Sequence, residues 1–293
     1  MNIDQTKVIY WIENELKTSV REISPLMGGI NSSVFRLTLD DGTKVVKSYA
    51  GNKDSKLRYL RETLFLDLCW DHQILIVPKV IGRSLTQQMI CMDFINGIKT
   101  GTSEAFVESL LNFIKILQGI DRDEARSRLT LAADSTFDLT NLSSELYRRI
   151  SQRSGVGDSV TNSDLSANLR NTLDSEASSN SISRFFSTFG RPIVSPSDIG
   201  PHNCLWVDGT AFFIDFEYAG RDSNIKLGLD LLTHPDIGFL ELEGRPDSSF
   251  EEVLGFAPSD VPDALIHLFR LKWRLIRERK AQKMTAIQVW KRQ

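Results

Sequence analysis

The 293-residue sequence predicts an α+β fold: an antiparallel sheet with one main helix first, then a mainly helical part. Three observations carry that expectation. Strand-patterned runs fill the first 95 residues, two of them joined by Asp-Gly. From Glu104 onward the apolar spacing becomes helical. A second compact β region, Ile193 to Phe216, is set inside the helical part. The expected division is 1–95 and 96–293.

Each element has its own signal. Val8, Ile9, Ile12 and Leu16 recur at helical spacing, so the chain opens with an amphipathic helix. Ile23 to Leu26 leads into a small, polar stretch, Gly28, Gly29, Ile30, Asn31, Ser32 and Ser33. Val34 to Leu39 reads as a strand and Thr43 to Tyr49 as its return. Asp40-Asp41-Gly42 between them is a hairpin turn. Residues 54–70 read as a helix with Leu57, Leu60, Leu64 and Leu68 on one side. Lys79 to Ile81 and Gln88 to Phe94 are two more strands, and Asn96-Gly97 ends the pattern. Glu104 to Ile120 reads as helix.

Residues 151–183 change character, with ten Ser and four Asn among 33 positions. That composition suits a flexible surface segment; the alternative is a broken helical insertion shaping a cleft. Beyond it, Ile193-Val194, Cys204 to Val207, the turn Asp208-Gly209 and Ala211 to Phe216 form the second β region. The remainder is helical by pattern.

Composition narrows the function classes. With 41% hydrophobic and 25% charged residues, disordered and fibrous classes drop out. A net charge of -3 argues against nucleic acid as a partner. No apolar run approaches the roughly 18 residues that span a bilayer. The opening MNIDQTKVIYWIENELK lacks a signal-peptide core. Cys69, Cys91 and Cys204 are odd in number and widely separated. They suit reduced thiols in a cytoplasm, and no spacing suggests zinc.

The chemistry concentrates in Ser195-Pro-Ser-Asp-Ile-Gly-Pro-His-Asn203 and Ile214-Asp-Phe-Glu217. Asp198 and Asn203 lie five apart on a loop, and Asp215 follows twelve residues later at a strand end. Phosphoryl transfer from ATP needs a carboxylate near the incoming hydroxyl and oxygen ligands for Mg²⁺. A loop Asp, a following Asn and a strand-end Asp supply that set. An isolated Asp is often only a loop cap; Asn203 and Asp215 in register set Asp198 apart. The hairpin at Asp208-Gly209 should bring Asn203 and Asp215 close in space.

These residues resemble the aminoglycoside phosphotransferase/choline kinase-like family, relatives of the protein kinases. That family reads His-Gly-Asp, four residues, Asn, a hairpin, then Ile-Asp-Phe/Trp-Glu. The resemblance implies a bilobal protein-kinase-like fold with an antiparallel-sheet N-lobe and a mainly helical C-lobe. It implies Asp198 as catalytic base, Asn203 and Asp215 as Mg²⁺ ligands, Glu217 behind them, and Asp230 as a structural acid. Gly28, Gly29, Asn31, Ser32 and Ser33 resemble the phosphate-covering turn, where glycines let the backbone approach closely. Lys47 resembles the lysine on the α- and β-phosphates, and Glu62, in Arg58-Tyr-Leu-Arg-Glu62, its ion-pair partner. Met92, Asp93, Phe94 and Ile95 resemble the hinge that receives adenine. The match runs in order from about residue 22 to 232.

The sequence departs from the family at Pro196, where the pattern has His, and at Ser197. The implied activity is an ATP- and Mg²⁺-dependent kinase acting on a small hydroxyl-bearing substrate. The alternative is a catalytically weak nucleotide-binding regulator or assembly protein of the same fold. No Ala-Pro-Glu signature follows Asp215, which argues against a protein kinase. Eight acids against Arg245 in 236–263 make a solvated acidic surface or, if they line the acceptor site, suit an amine-bearing substrate. Nine Lys/Arg against Glu278 in 270–292 give an amphipathic helix with a basic outer face.

Overall fold

A computed structural model describes residues 5–26, 31–49, 54–152 and 159–290. Gly28 and Gly29 therefore lie outside the described residues. In chain order the elements are α1 (Gln5–Glu15), β1 (Val20–Leu26), β2 (Ser33–Leu39), β3 (Gly42–Ser48), α2 (Ser55–Asp71), β4 (Val80–Ser84) and β5 (Met89–Asp93). There follow α3 (Glu104–Leu117), α4 (Arg122–Arg128), α5 (Leu139–Ser151), α6 (Ser159–Asp174), α7 (Glu176–Phe189), β6 (Pro192–Ser195), β7 (Cys204–Val207), β8 (Thr210–Phe213) and β9 (Gly220–Ser223). The chain ends with α8 (Asn224–Thr233), α9 (Asp247–Leu254) and α10 (Asp263–Trp290).

The chain divides into two compact units. One comprises 1–101, 116–133 and 196–221, and the other 102–115, 134–195 and 222–293. In the first, five strands form an antiparallel sheet in the order β1-β2-β3-β5-β4. The β2–β3 hairpin closes at Leu39↔Gly42, with Gly42 at φ 126°, a conformation glycine adopts without Cβ strain. Helix α1 buries Val8, Trp11 and Ile12 in a cluster with Phe35, Leu37, Leu39, Val46, Met89 and Cys91. Alternate positions of β2 thus feed one apolar layer, as the two-residue strand period requires.

Helix α2 packs against β4 and β5. Its buried residues are Ser55, Tyr59, Glu62, Thr63, Phe65, Leu66, Leu68 and Cys69, whereas Leu57 is exposed. The inward face carries Glu62 because a buried cation awaits it there. The hairpin β7–β8 pairs Cys204 with Phe213 through Val207 with Thr210, as the Asp208-Gly209 turn predicts.

The second unit is mainly helical. The Ser/Asn-rich segment forms α6 and most of α7, separated from α5 by residues that lie outside the described ones. Helix α8 is buried at all ten positions. Its charges are met in place: Lys226 Nζ lies 2.9 Å from Asp222 Oδ2 and 3.1 Å from Asp230 Oδ2. Lys272 Nζ of α10 lies 2.6 Å from Asp230 Oδ1. Asp222 also accepts the N–H groups of Ser223, at 2.9 Å, and Thr136, at 3.2 Å. Burial would raise the Asp230 carboxyl, but Lys272 and Lys226 hold it below the ordinary range. Among the described residues no helix is long and apolar enough to cross a membrane.

Candidate functional site

The site grows from the hairpin β7–β8. Pro201–Asn203 make a short 3₁₀ turn in which the Asn203 N–H bonds the Gly200 carbonyl at 3.0 Å. The Asn203 carbonyl then accepts the Ile214 N–H at 2.9 Å. That bond ties the start of the hairpin to its exit and so sets Asp215 beyond the end of β8. Asp215 has φ 68°, left-handed backbone that costs a non-glycine residue about 1 kcal/mol or more. The surrounding bonds hold it there.

Upstream, the Asp198 N–H donates to the Pro196 carbonyl at 2.9 Å around Ser197, whose φ is 65°. This tight turn stands where the family pattern has His-Gly. The Asn203 amide donates to the Asp198 carbonyl at 3.3 Å, so the buried Asn203 braces the loop that carries Asp198. His202 Nε2 lies 3.7 Å from Asp198 Oδ2. The Asp198 carboxylate is partly open, with 27% of the side chain exposed, which suits a group meant to meet a substrate.

Lys47, on β3, is the buried cation. Its Nζ lies 2.7 Å from Glu62 Oε2, bonds Asp215 Oδ1, and stands 3.8 Å from Glu217 Oε2. Burial alone would lower its pKa, but Asp215, Glu62 and Glu217 together hold the ammonium well above the ordinary lysine value. Glu62 shares that one cation with two other carboxylates. Burial pushes its carboxyl up to about 7, against the pull of Lys47. Glu62 Oε1 also accepts the Phe216 N–H at 3.3 Å, and Phe216 stacks on Phe65 with centroids 4.6 Å apart. Helix α2 thus grips the segment after β8 by a polar and an apolar contact.

Glu217 is buried and held from two sides. Arg58 Nη1 donates to its Oε1 at 2.9 Å, and Asn31 Nδ2 to the same oxygen at 2.8 Å. Both donors also reach the Tyr218 hydroxyl, each at 2.7 Å. Burial and Glu217 push that phenol up to about 12. Arg58 and Tyr218 were not singled out from the sequence. The spacing of Arg58 four residues before Glu62 on one helix was the available signal.

Ser33 pairs with Ser48 across β2–β3, and Ser32 directly precedes that strand. Met92 is buried, and Asp93 accepts from Lys44 at 3.1 Å while its N–H bonds the Lys79 carbonyl at 3.0 Å. Phe94 lies under the Arg36 guanidinium, 4.8 Å from the ring centre, and Ile95 follows. The structure therefore gathers Asn31, Lys47, Glu62, Asp215 and Glu217 directly, with Asn203 and Asp198 joined through the hairpin.

The donor set fits a divalent cation. Asp215 and Asn203 offer a carboxylate and an amide oxygen, the hard oxygen donors such a cation takes. Among the described residues no three His, Cys, Asp or Glu side chains could hold a metal by themselves.

No family model and no curated protein matches the sequence. Solved structures do match in fold. The gentamicin complex of APH(2")-IIa superposes with a TM-score of 0.64 at 17% identity, covering 99% of this chain and 95% of that one. Macrolide 2'-phosphotransferase type I gives 0.60 at 14% identity, covering 94% and 89%. ADP-bound aminoglycoside phosphotransferase APH(2'')-Ib gives 0.55 at 14% identity, covering 92% and 98%. The five-stranded sheet, the helical second part and these superpositions give one conclusion: the chain has the protein-kinase-like, bilobal α+β fold of the aminoglycoside and macrolide phosphotransferases.

Proposed function

We propose that this protein is an ATP- and Mg²⁺-dependent phosphotransferase that moves the γ-phosphoryl group to a hydroxyl of a small molecule. The observation that carries the reading is the single buried Lys47 ammonium shared by Glu62 and Asp215, with the Asp198 loop braced on Asn203 of the same hairpin. The solved structures of like fold are phosphotransferases for aminoglycoside and macrolide antibiotics, and some hold ATP, ADP or GDP.

In this reading residues 1–95 form the nucleotide-binding lobe and 96–293 the catalytic and acceptor lobe. Adenine meets the backbone of Met92 to Ile95. The turn at Gly28, Gly29, Asn31, Ser32 and Ser33 covers the phosphates. Lys47 binds the α- and β-phosphates, held in place by Glu62. Asn203 and Asp215 would hold Mg²⁺, which neutralises phosphate charge when bound. Asp198 orients the acceptor hydroxyl and takes its proton. The acceptor oxygen then bonds the γ-phosphorus as the bond to the β,γ-bridging oxygen breaks, and ADP leaves. The three separated, buried thiols agree with a cytoplasmic protein.

The test is Mg²⁺-dependent ATP binding followed by ADP release over a panel of amino alcohols, sugars and aminoglycosides. Acceptor-dependent ADP release supports the kinase. Tight MgATP binding with no turnover on any acceptor would favour a nucleotide-binding regulator instead.

A further inference from the structure

Helix α2 carries a second charged contact to the segment after β8, one turn before Glu62. Positions four apart share a helix face, so Arg58 and Glu62 leave α2 side by side. Glu62 takes Lys47 and the Phe216 N–H. Arg58 takes the next two residues, with Nη1 2.9 Å from Glu217 Oε1 and 2.7 Å from the Tyr218 hydroxyl. Its guanidinium carbon also lies 5.0 Å from the Tyr218 ring centre. Asn31, from the turn before β2, donates to the same two oxygens at 2.8 and 2.7 Å. Two donors from separate segments converge on two acceptors that directly follow Asp215.

The electrostatic consequence concerns Lys47. Glu217 is 4% exposed, and its other oxygen is 3.8 Å from the Lys47 ammonium. A buried carboxylate must keep a partner, since an unpaired one costs several kcal/mol. Without Arg58, Glu217 would keep only the neutral Asn31 amide and would draw on the nearest cation, Lys47, in competition with Glu62 and Asp215. Asp215 sits at φ 68°, so its backbone depends on the neighbours that hold it.

Resting on the phosphotransferase reading above, we propose that Arg58 is a positioning residue. It neutralises Glu217 and anchors Tyr218 on α2, which keeps Lys47 for phosphate and Asp215 for the metal ion. Asn31 extends the same knot to the phosphate-covering turn, so nucleotide and metal binding are coupled through it.

The test measures ATP affinity by calorimetry with and without Mg²⁺, in the wild type and in Arg58→Met, Arg58→Lys, Asn31→Ala and Arg58→Met/Glu217→Gln. The readout is the factor by which Mg²⁺ tightens ATP binding, which a merely structural role would not move. Arg58→Met is expected to cut that factor about tenfold and Asn31→Ala about threefold, while Arg58→Lys keeps most of it. The double variant, with the stranded charge removed, should recover part of the loss, as coupled neighbours do. Melting curves establish which variants fold; if Arg58→Met does not, Asn31→Ala and Arg58→Lys decide. An unchanged Mg²⁺ factor in Arg58→Met or in Asn31→Ala, or a double variant that recovers nothing over Arg58→Met, overturns the assignment. A wild type that binds no MgATP overturns the phosphotransferase reading, and this assignment with it.

Discussion

Glu62 makes a prediction that belongs to single residues. Its carboxyl titrates near 7 in the folded chain against an ordinary 4.5. Between those values the folded chain binds more protons at Glu62 than the unfolded chain does. This group's contribution to stability therefore falls as pH rises from about 4.5 to about 7. Its ionised form is the one that holds Lys47, so kcat/KM for ATP should rise with pH through about 7. A pH–rate profile of the wild type beside Glu62→Gln checks this. The variant should be slow and lack that limb; a flat wild-type profile from about pH 6 to 8 would contradict it. The Lys47–Glu62 pairing was legible in sequence because a strand lysine and a helix acid came in family order. The grip of Arg58 and Asn31 on Glu217 was not. Those contacts join positions 159 and 186 residues apart, and nothing local in either segment announces them.

At the scale of elements, the hairpin β7–β8 is the part on which the site depends most. Gly97 lies against it so closely that an added Cβ would stand 2.9 Å from Leu205 Cβ and 2.9 Å from the Trp206 carbonyl. Neighbouring Ile98 exchanges backbone bonds with Trp206, at 3.1 and 2.9 Å. Gly97→Ala should push the linker off the hairpin and cost about 1–3 kcal/mol, with a matching fall in denaturant midpoint. It should also weaken MgATP binding, because Asn203 and Asp215 sit at the two ends of that hairpin. An unchanged midpoint would show that the linker shifts freely. The sequence announced this hairpin plainly through Asp208-Gly209 and the aromatic run after it. The leucine spacing marked α2 as a helix, and the fold shows that its buried face also carries Glu62 and Thr63, with Leu68 inward and Leu57 exposed.

On the scale of the whole molecule, the second unit adds a buried ionic chain of its own. Asp222, Lys226, Asp230 and Lys272 are all nearly solvent-free, and the charges balance in pairs. Removing one member strands its partner, so Lys226→Met should lower stability by about 3–5 kcal/mol, read from urea unfolding. A loss under about 1 kcal/mol would mean that Asp222 and Asp230 are satisfied without it. The resemblance marked Asp230 as structural, whereas its partners Asp222 and Lys226 emerge only in the fold. Lys272 joins from 42 positions away, a contact only the fold supplies. The Ser/Asn-rich composition pointed first to a flexible surface segment, and there the structure corrects the expectation. Helix forms in α6 and α7, where packing of Leu169, Ile182, Phe185 and Phe186 outweighs weak serine propensity.

The central claim is that Asp198 is the base of a phosphoryl transfer to a hydroxyl. Its most direct test is mass-spectrometric detection of phosphorylated acceptor, with MgATP supplied to the wild type and to Asp198→Asn. Product is expected from the wild type, and a rate lower by about 10²–10⁴-fold in Asp198→Asn with ATP affinity preserved. Product formed at the wild-type rate by Asp198→Asn would contradict it.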